Sequence, residues 1–205
     1  MRRFLSLGRP LAWALTLVAL AVATVYPTDF ERHHAEPRGG QYDPLVIGVE
    51  QVGRHVNTAR PLLMVIALRD VVGAKQMVAI TAAGILATHG PKRLLNDVEI
   101  AGTRLGQRPS SATSKHNMPS GHSSLASAGA CFMVRRYSHW FGVVVWPIVL
   151  LTMYARVMLD AHTVSATIAG AITGVLVAWL FARKTSGLRD VAAAVRTRKR
   201  YLTKV

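Results

Sequence analysis

Three stretches of this 205-residue chain carry no Asp, Glu, Lys or Arg between their ends over bilayer lengths: Lys115 to Arg135, Arg136 to Arg156, and His162 to Arg183. A membrane-spanning helix needs about 20 mostly apolar residues, so these runs restrict the chain to a helical membrane architecture. Weaker apolar runs cover Leu11 to Tyr26, Gln76 to Pro91, and Ala59 to Val72, the last interrupted by Arg60, Arg69 and Asp70. The expected fold is an all-α integral membrane protein, one domain over residues 1–205 built as a bundle of about six transmembrane helices. The first run follows Met1, Arg2 and Arg3, so it reads either as a span or as the apolar part of a cleaved signal peptide.

Composition fits that frame. Hydrophobic residues make up 51% of the chain, the formal net charge is +15, and the sequence pI is near 11.2. Such a basic balance suits nucleic acid, an anionic membrane surface or a phosphorylated substrate, and the placement of the charges decides among them. The tail, residues 183–205, concentrates Arg196, Arg198, Lys199 and Arg200 beside the last span, where they suit anionic lipid headgroups. It lacks the interleaved aromatics that stack on bases, so no nucleic-acid partner is expected. The lone Cys131 lies in an apolar stretch and reads as packing.

With six spans, one side receives Arg2, Arg3, Arg9, Arg69, Lys75, Arg135, Arg136 and the basic tail, which makes it cytoplasmic by the positive-inside rule. The other side, the periplasm of a bacterial inner membrane, receives residues 27–58, 92–119 and 156–162. Cations nevertheless gather at that outward face: Lys92, Arg93, Arg104, Arg108 and Lys115 with His122 ahead of the fourth span, and Arg156 with His162 between the fifth and sixth. A compensating anion is the natural reason. Within "NMPSGHSS" (117–124), Pro119 suits a first-turn position, which would leave Ser120, Gly121 and His122 at a helix N-terminus whose free N–H groups and dipole favour a negative charge. Taken alone the tetrapeptide is also an ordinary helix start; "ARVMLDAH" (155–162), with Arg156 six residues before His162, tips the balance toward a site.

Together, "RP" (108–109), "PSGH" (119–122) and "ARVMLDAH" resemble the three signature motifs of the type 2 phosphatidic acid phosphatase (PAP2) superfamily. The longer run from His89 through "RLGQRPSSATSKHNMPSGHSS" to Gly174 is similar to the bacterial lipid A 1-phosphatases. The resemblance implies a metal-independent, cofactor-free lipid phosphatase with a periplasm-facing site in a PAP2/acid phosphatase-like fold, core motifs at 89–174. His162 would attack phosphorus and form a phosphohistidine, and His122 would protonate the leaving oxygen and then activate water. Arg108, Arg156 and Lys92 would hold the phosphate oxygens, with Ser120 and Gly121 completing the cradle. The implied substrate is lipid A or a related phosphorylated lipid, losing its 1-phosphate; undecaprenyl pyrophosphate or phosphatidylglycerol phosphate is the alternative, and an inactive lipid-binding component is the alternative of another class.

Two departures from the family pattern define questions for the structure. The lysine expected seven residues before Arg108 is replaced by Ala101, so either Lys92 or Arg104 must serve. The aspartate expected four residues after His162 is replaced by Ala166; Asp160 would face away on a continuous helix, so a bend or another group such as a backbone carbonyl must orient the ring. Ala166, Gly170 and Gly174 recur every fourth residue, a spacing that suits close helix packing.

Overall fold

The computed structural model describes residues 8–185; the tail cations Arg196, Arg198, Lys199 and Arg200 and the N-terminal Arg2 and Arg3 lie outside the described residues. The eight α-helices of the described residues are α1 (Gly8–Val25), α2 (Phe30–Ala35), α3 (Pro44–Gly48), α4 (Arg54–Ala67), α5 (Val71–Leu94), α6 (Gly121–Arg136), α7 (Gly142–Met158) and α8 (Val164–Phe181). Each apolar run of the sequence is therefore a helix, the interrupted 59–72 stretch ending as α4 before Arg69 and Asp70 turn the chain into α5. Among the described residues, α5, the segment His139–Met158 and α8 are long and apolar enough to cross a membrane, and Pro10–Val25 is a shorter apolar helix.

The all-α expectation needs one correction. The loop from 95 to 120 contains a small antiparallel hairpin, β1 (Glu99–Ile100) paired with β2 (Thr103–Arg104). Its two-residue turn, Ala101 and Gly102, has φ of 50° and 74°, the left-handed conformation that tight hairpin turns demand.

Small residues set the centre of the bundle, where α6 packs on α8. A Cβ on Gly170 would stand 2.3 Å from the Ser120 carbonyl oxygen, and one on Gly174 would stand 2.0 Å from that of Ser124. Only bare backbone permits such an approach, so the four-residue spacing of Ala166, Gly170 and Gly174 is a packing stripe. Polar contacts follow the same seam: Ser120 N–H donates to Ala166 O at 2.9 Å and Ser127 Oγ to Ala171 O at 2.8 Å. Cys131 is buried there, its Sγ 3.8 Å from Val175 O. The apolar α1 joins the seam too, Leu20 and Ala23 packing on Ala166 and Ala169.

Away from the motif end, α6 finishes in a closed polar knot. Asp70 caps α5 by accepting from Gly73 N–H at 2.9 Å, and its carboxylate pairs with the Arg136 guanidinium and accepts from Tyr137 Oη at 3.0 Å. Arg136 also donates to Gln76 Oε1 at 3.2 Å and Arg183 O at 3.1 Å. Arg136 is thus a buried partner of Asp70, 4% exposed.

Candidate active site

His162 is delivered by a broken helix end. α7 stops at Met158, Asp160 takes a left-handed φ of 49°, and the N–H groups of Ala161 and His162 both donate to Arg156 O at 3.2 Å. Thr163 then caps α8 by accepting from Ala166 N–H at 3.2 Å. The bend places Arg156 and His162 at one end of the bundle, with His162 only 2% exposed.

The imidazole is oriented by backbone. His162 Nδ1 lies 2.8 Å from the carbonyl oxygen of Asn117. A carbonyl only accepts, so Nδ1 carries the proton and Nε2 keeps its lone pair. The Asn117 side chain locks the arrangement: Oδ1 accepts from Thr163 N–H at 3.1 Å, and Nδ2 donates to Thr163 Oγ1 at 3.1 Å and Leu105 O at 3.4 Å. This resolves the question raised by Ala166. The carboxylate of Asp160 turns the other way, accepting from Arg38 Nη1 at 2.7 Å and Arg38 N–H at 3.3 Å. Its role is structural, because Arg38 comes from the outward loop and Asp160 O accepts from Ser110 N–H at 3.1 Å, tying three segments together.

Ser120 is the N-cap of α6, accepting from Ser123 N–H at 3.5 Å and Ser123 Oγ at 3.1 Å. It is fully buried and does not line the cavity, so its hydroxyl serves the helix start here. Pro119 also differs: it precedes the cap, joined to Met118 by a cis peptide bond, and Gly121 opens the helix. The helix N-terminus and His122 remain where the motif predicts.

Lys92, Arg108, Gly121, His122, Arg156 and His162 line one cavity of about 1080 Å³. Lys92 reaches it from the last turn of α5, its Nζ 4.0 Å from where a Gly121 Cβ would stand. Arg108 is set by its loop, its N–H donating to Ser114 Oγ at 2.7 Å and its Nη2 to His116 O at 3.4 Å. Arg104 does not join them: its guanidinium donates to Ala112 O at 2.7 Å, Ser114 O at 2.9 Å and Asn96 O at 3.4 Å, bracing the loop. The structure thus brings Lys92, not Arg104, to the cationic end. From there the cavity runs between α4, α5 and α6 past Leu62, Val65, Ile85 and Ala128 to Phe132.

The electrostatics suit an anion. Burial, then the charges of Lys92, Arg156 and Arg108, hold the His162 pKa well below its usual 6.5, against a smaller opposing effect of the Asn117 carbonyl. Burial and the neighbouring Arg156 also lower Arg108. Nε of Arg108 and Nε of Arg156 are buried without a hydrogen-bond partner among the described residues. Buried donors left unpaired cost about 1–3 kcal/mol each, a deficit that a polyanion with several oxygens removes. Among the described residues no group of three His, Cys, Asp or Glu side chains is placed to hold a metal.

Three residues at or behind this site escaped the sequence reading: Asn117, Arg38 and Glu50, whose Oε1 accepts from Arg156 Nη1 at 2.7 Å. Glu50 carried a signal, since it stands alone among uncharged residues from Pro44 to Gly53, where a carboxylate calls for a cationic partner.

Comparison with known proteins agrees with this geometry. The chain matches the PAP2 superfamily over residues 59–189. It is 36% identical over 171 residues to the lipid A 1-phosphatase of Helicobacter pylori strain J99, covering 83% of this chain and 85% of that protein. Against the lipid A 1-phosphatase of Helicobacter pylori strain 26695 the identity is 36% over 174 residues, 84% of this chain and 90% of the relative. No solved structure matches the chain. A phosphatase family match spanning all three motifs, on a helical bundle that gathers them around one cationic cavity, places the chain in the PAP2 superfamily of phosphatases.

Proposed function

We propose that this protein removes the 1-phosphate of lipid A at the periplasmic face of the bacterial inner membrane, on a six-helix transmembrane bundle, through a phosphohistidine at His162. The observation that carries the chemistry is the hydrogen bond from His162 Nδ1–H to the Asn117 carbonyl, which leaves Nε2 unprotonated in a cavity with Lys92, Arg108 and Arg156. The substrate rests on the lipid A 1-phosphatase relatives, and the apolar continuation of the cavity between α4, α5 and α6 suits the acyl region of a lipid entering from the bilayer.

In the first step Nε2 of His162 bonds to phosphorus as the bond to the sugar oxygen breaks, and His122, protonated, gives its proton to that oxygen. Negative charge spreads over three equatorial oxygens, where Lys92, Arg108, Arg156 and the N-terminus of α6 stabilise it. His122, now neutral, takes a proton from water; the hydroxide attacks phosphorus, the P–N bond breaks, and inorganic phosphate leaves. The two histidines occupy unlike surroundings, His162 buried and oriented by a carbonyl, His122 half-buried at the helix start, as opposed acid and nucleophile roles require.

The test is mass spectrometry of lipid A incubated with the purified protein in detergent and chelator, beside tubes of undecaprenyl pyrophosphate and phosphatidylglycerol phosphate and a His162→Ala control. Loss of one phosphate from the reducing-end sugar, absent in the control, is expected. Turnover of only another lipid would overturn the substrate, and inert wild-type protein would favour a binding component.

A further inference from the structure

We infer that Glu50 is a positioning residue for the reaction, holding Arg156 by Nη1 so that the Nε–Nη2 edge of the guanidinium is the one presented to the phosphoryl group. The inference rests on the reading that Arg156 holds phosphate, and it adds a residue outside the three motifs. Arg156 and Glu50 form a close pair, 2.7 Å apart, with side chains 11% and 23% exposed. A guanidinium offers its donors in a rigid planar fork, and the two-donor edge formed by Nε–H and Nη2 matches two oxygens of a phosphate. With Nη1 occupied by Glu50, that edge remains, and its Nε is buried without a hydrogen-bond partner among the described residues.

The local fold is built to deliver the carboxylate. Asp43 caps α3 by accepting from Leu45 N–H at 2.8 Å, Pro44 opens the helix, and α3 runs into a π-helical turn over Val49–Gly53. Val46 and Val49 are buried against Ala155, Met158 and Leu159, so the segment is seated on the same last turn of α7 that carries Arg156. Lys92, Arg108 and Arg156 share one cavity, and like charges at close quarters repel. A fixed carboxylate behind Arg156 opposes that repulsion without lining the cavity.

The experiment uses the full-length protein in detergent with p-nitrophenyl phosphate as substrate and orthovanadate, a mimic of five-coordinate phosphorus, as inhibitor. Glu50→Met removes the acceptor at similar volume; Glu50→Gln keeps one. Glu50→Met is expected to lower kcat by about tenfold or more with a smaller change in KM, and to weaken orthovanadate inhibition in parallel, while Glu50→Gln recovers most of both. In an Arg156→Lys background, Glu50→Met is expected to add less than about twofold, since both changes act on one interaction. Wild-type kcat and inhibition in Glu50→Met, equal losses in the Met and Gln variants, or losses that multiply in the double variant would each overturn the inference. If Glu50→Met does not fold, Glu50→Ala, which also removes the acceptor, alone and in the Arg156→Lys background reads the same coupling. Because the readout uses a soluble phosphomonoester, a wrong lipid substrate leaves this test intact, whereas an Arg156→Lys variant with full activity marks failure of the underlying site reading.

Discussion

Gly170→Ala tests whether the α6–α8 contact sets the active site. The added Cβ would stand 2.3 Å from Ser120 O and 3.1 Å from Ser120 N and C, against ordinary contact at 3.4 Å and beyond. Every clashing atom is backbone, so no side chain can swing aside, and the start of α6 must retreat by about 1 Å. That movement stretches the 2.9 Å bond from Ser120 N–H to Ala166 O and shifts Gly121 and His122 relative to His162. Overpacking of this kind costs about 1–3 kcal/mol of stability, and a 1 Å misplacement of reacting groups costs about 100-fold in rate. The assay is turnover beside thermal unfolding in detergent, with Gly90→Ala as control, since a Cβ at Gly90 meets nothing within 4 Å. We expect Gly170→Ala to lose turnover out of proportion to its drop in unfolding temperature, while the control keeps both. Wild-type turnover and midpoint in Gly170→Ala would refute the packing argument.

Other outcomes follow from separate parts of the structure. Asp70→Asn leaves the buried Arg136 guanidinium without its counter-charge and should cost about 3–5 kcal/mol, read as a lower unfolding temperature with unchanged KM, since Arg136 ends α6 about 20 Å along the helix from His122. His162 contributes a pH dependence: its folded pKa lies well below the usual 6.5, so the unfolded chain binds the extra proton first as pH falls. That contribution is complete above pH 6.5 and is lost progressively below it. His162→Gln should therefore flatten the fall of unfolding temperature on the acid side, and equal slopes in the two proteins would contradict the burial argument.

The helices were readable because charge-free runs of bilayer length leave little choice of structure, and α6 to α8 fall where those runs lie, with α5 on the weaker run Gln76 to Pro91. His122, Arg156 and His162 converge because their motifs stand at the ends of helices that pack side by side, and the 95–120 loop brings Arg108 to the same cavity. A backbone carbonyl was one of the two readings for what orients His162, but which one was hidden, because any residue at 117 would carry it. Choosing between Lys92 and Arg104 needed the hairpin: its positive-φ turn at Ala101 and Gly102 folds the loop back, where Arg104 binds carbonyls, while the end of α5 carries Lys92 to the cavity. Asp160 illustrates the same limit: the sequence left open a bend that would turn it to the ring, and the left-handed turn that delivers His162 instead points that carboxylate at Arg38.

The central claim is that His162 carries the phosphoryl group between substrate and water. The most direct measurement is rapid mixing of the protein with lipid A, an alkaline quench that preserves phosphohistidine, and peptide mapping by mass spectrometry for wild type and His122→Ala. The account predicts a phosphoryl group on His162 that forms and decays within turnover and is absent from His162→Ala. Full turnover with no phosphopeptide, or with the group on His122 instead, would contradict it.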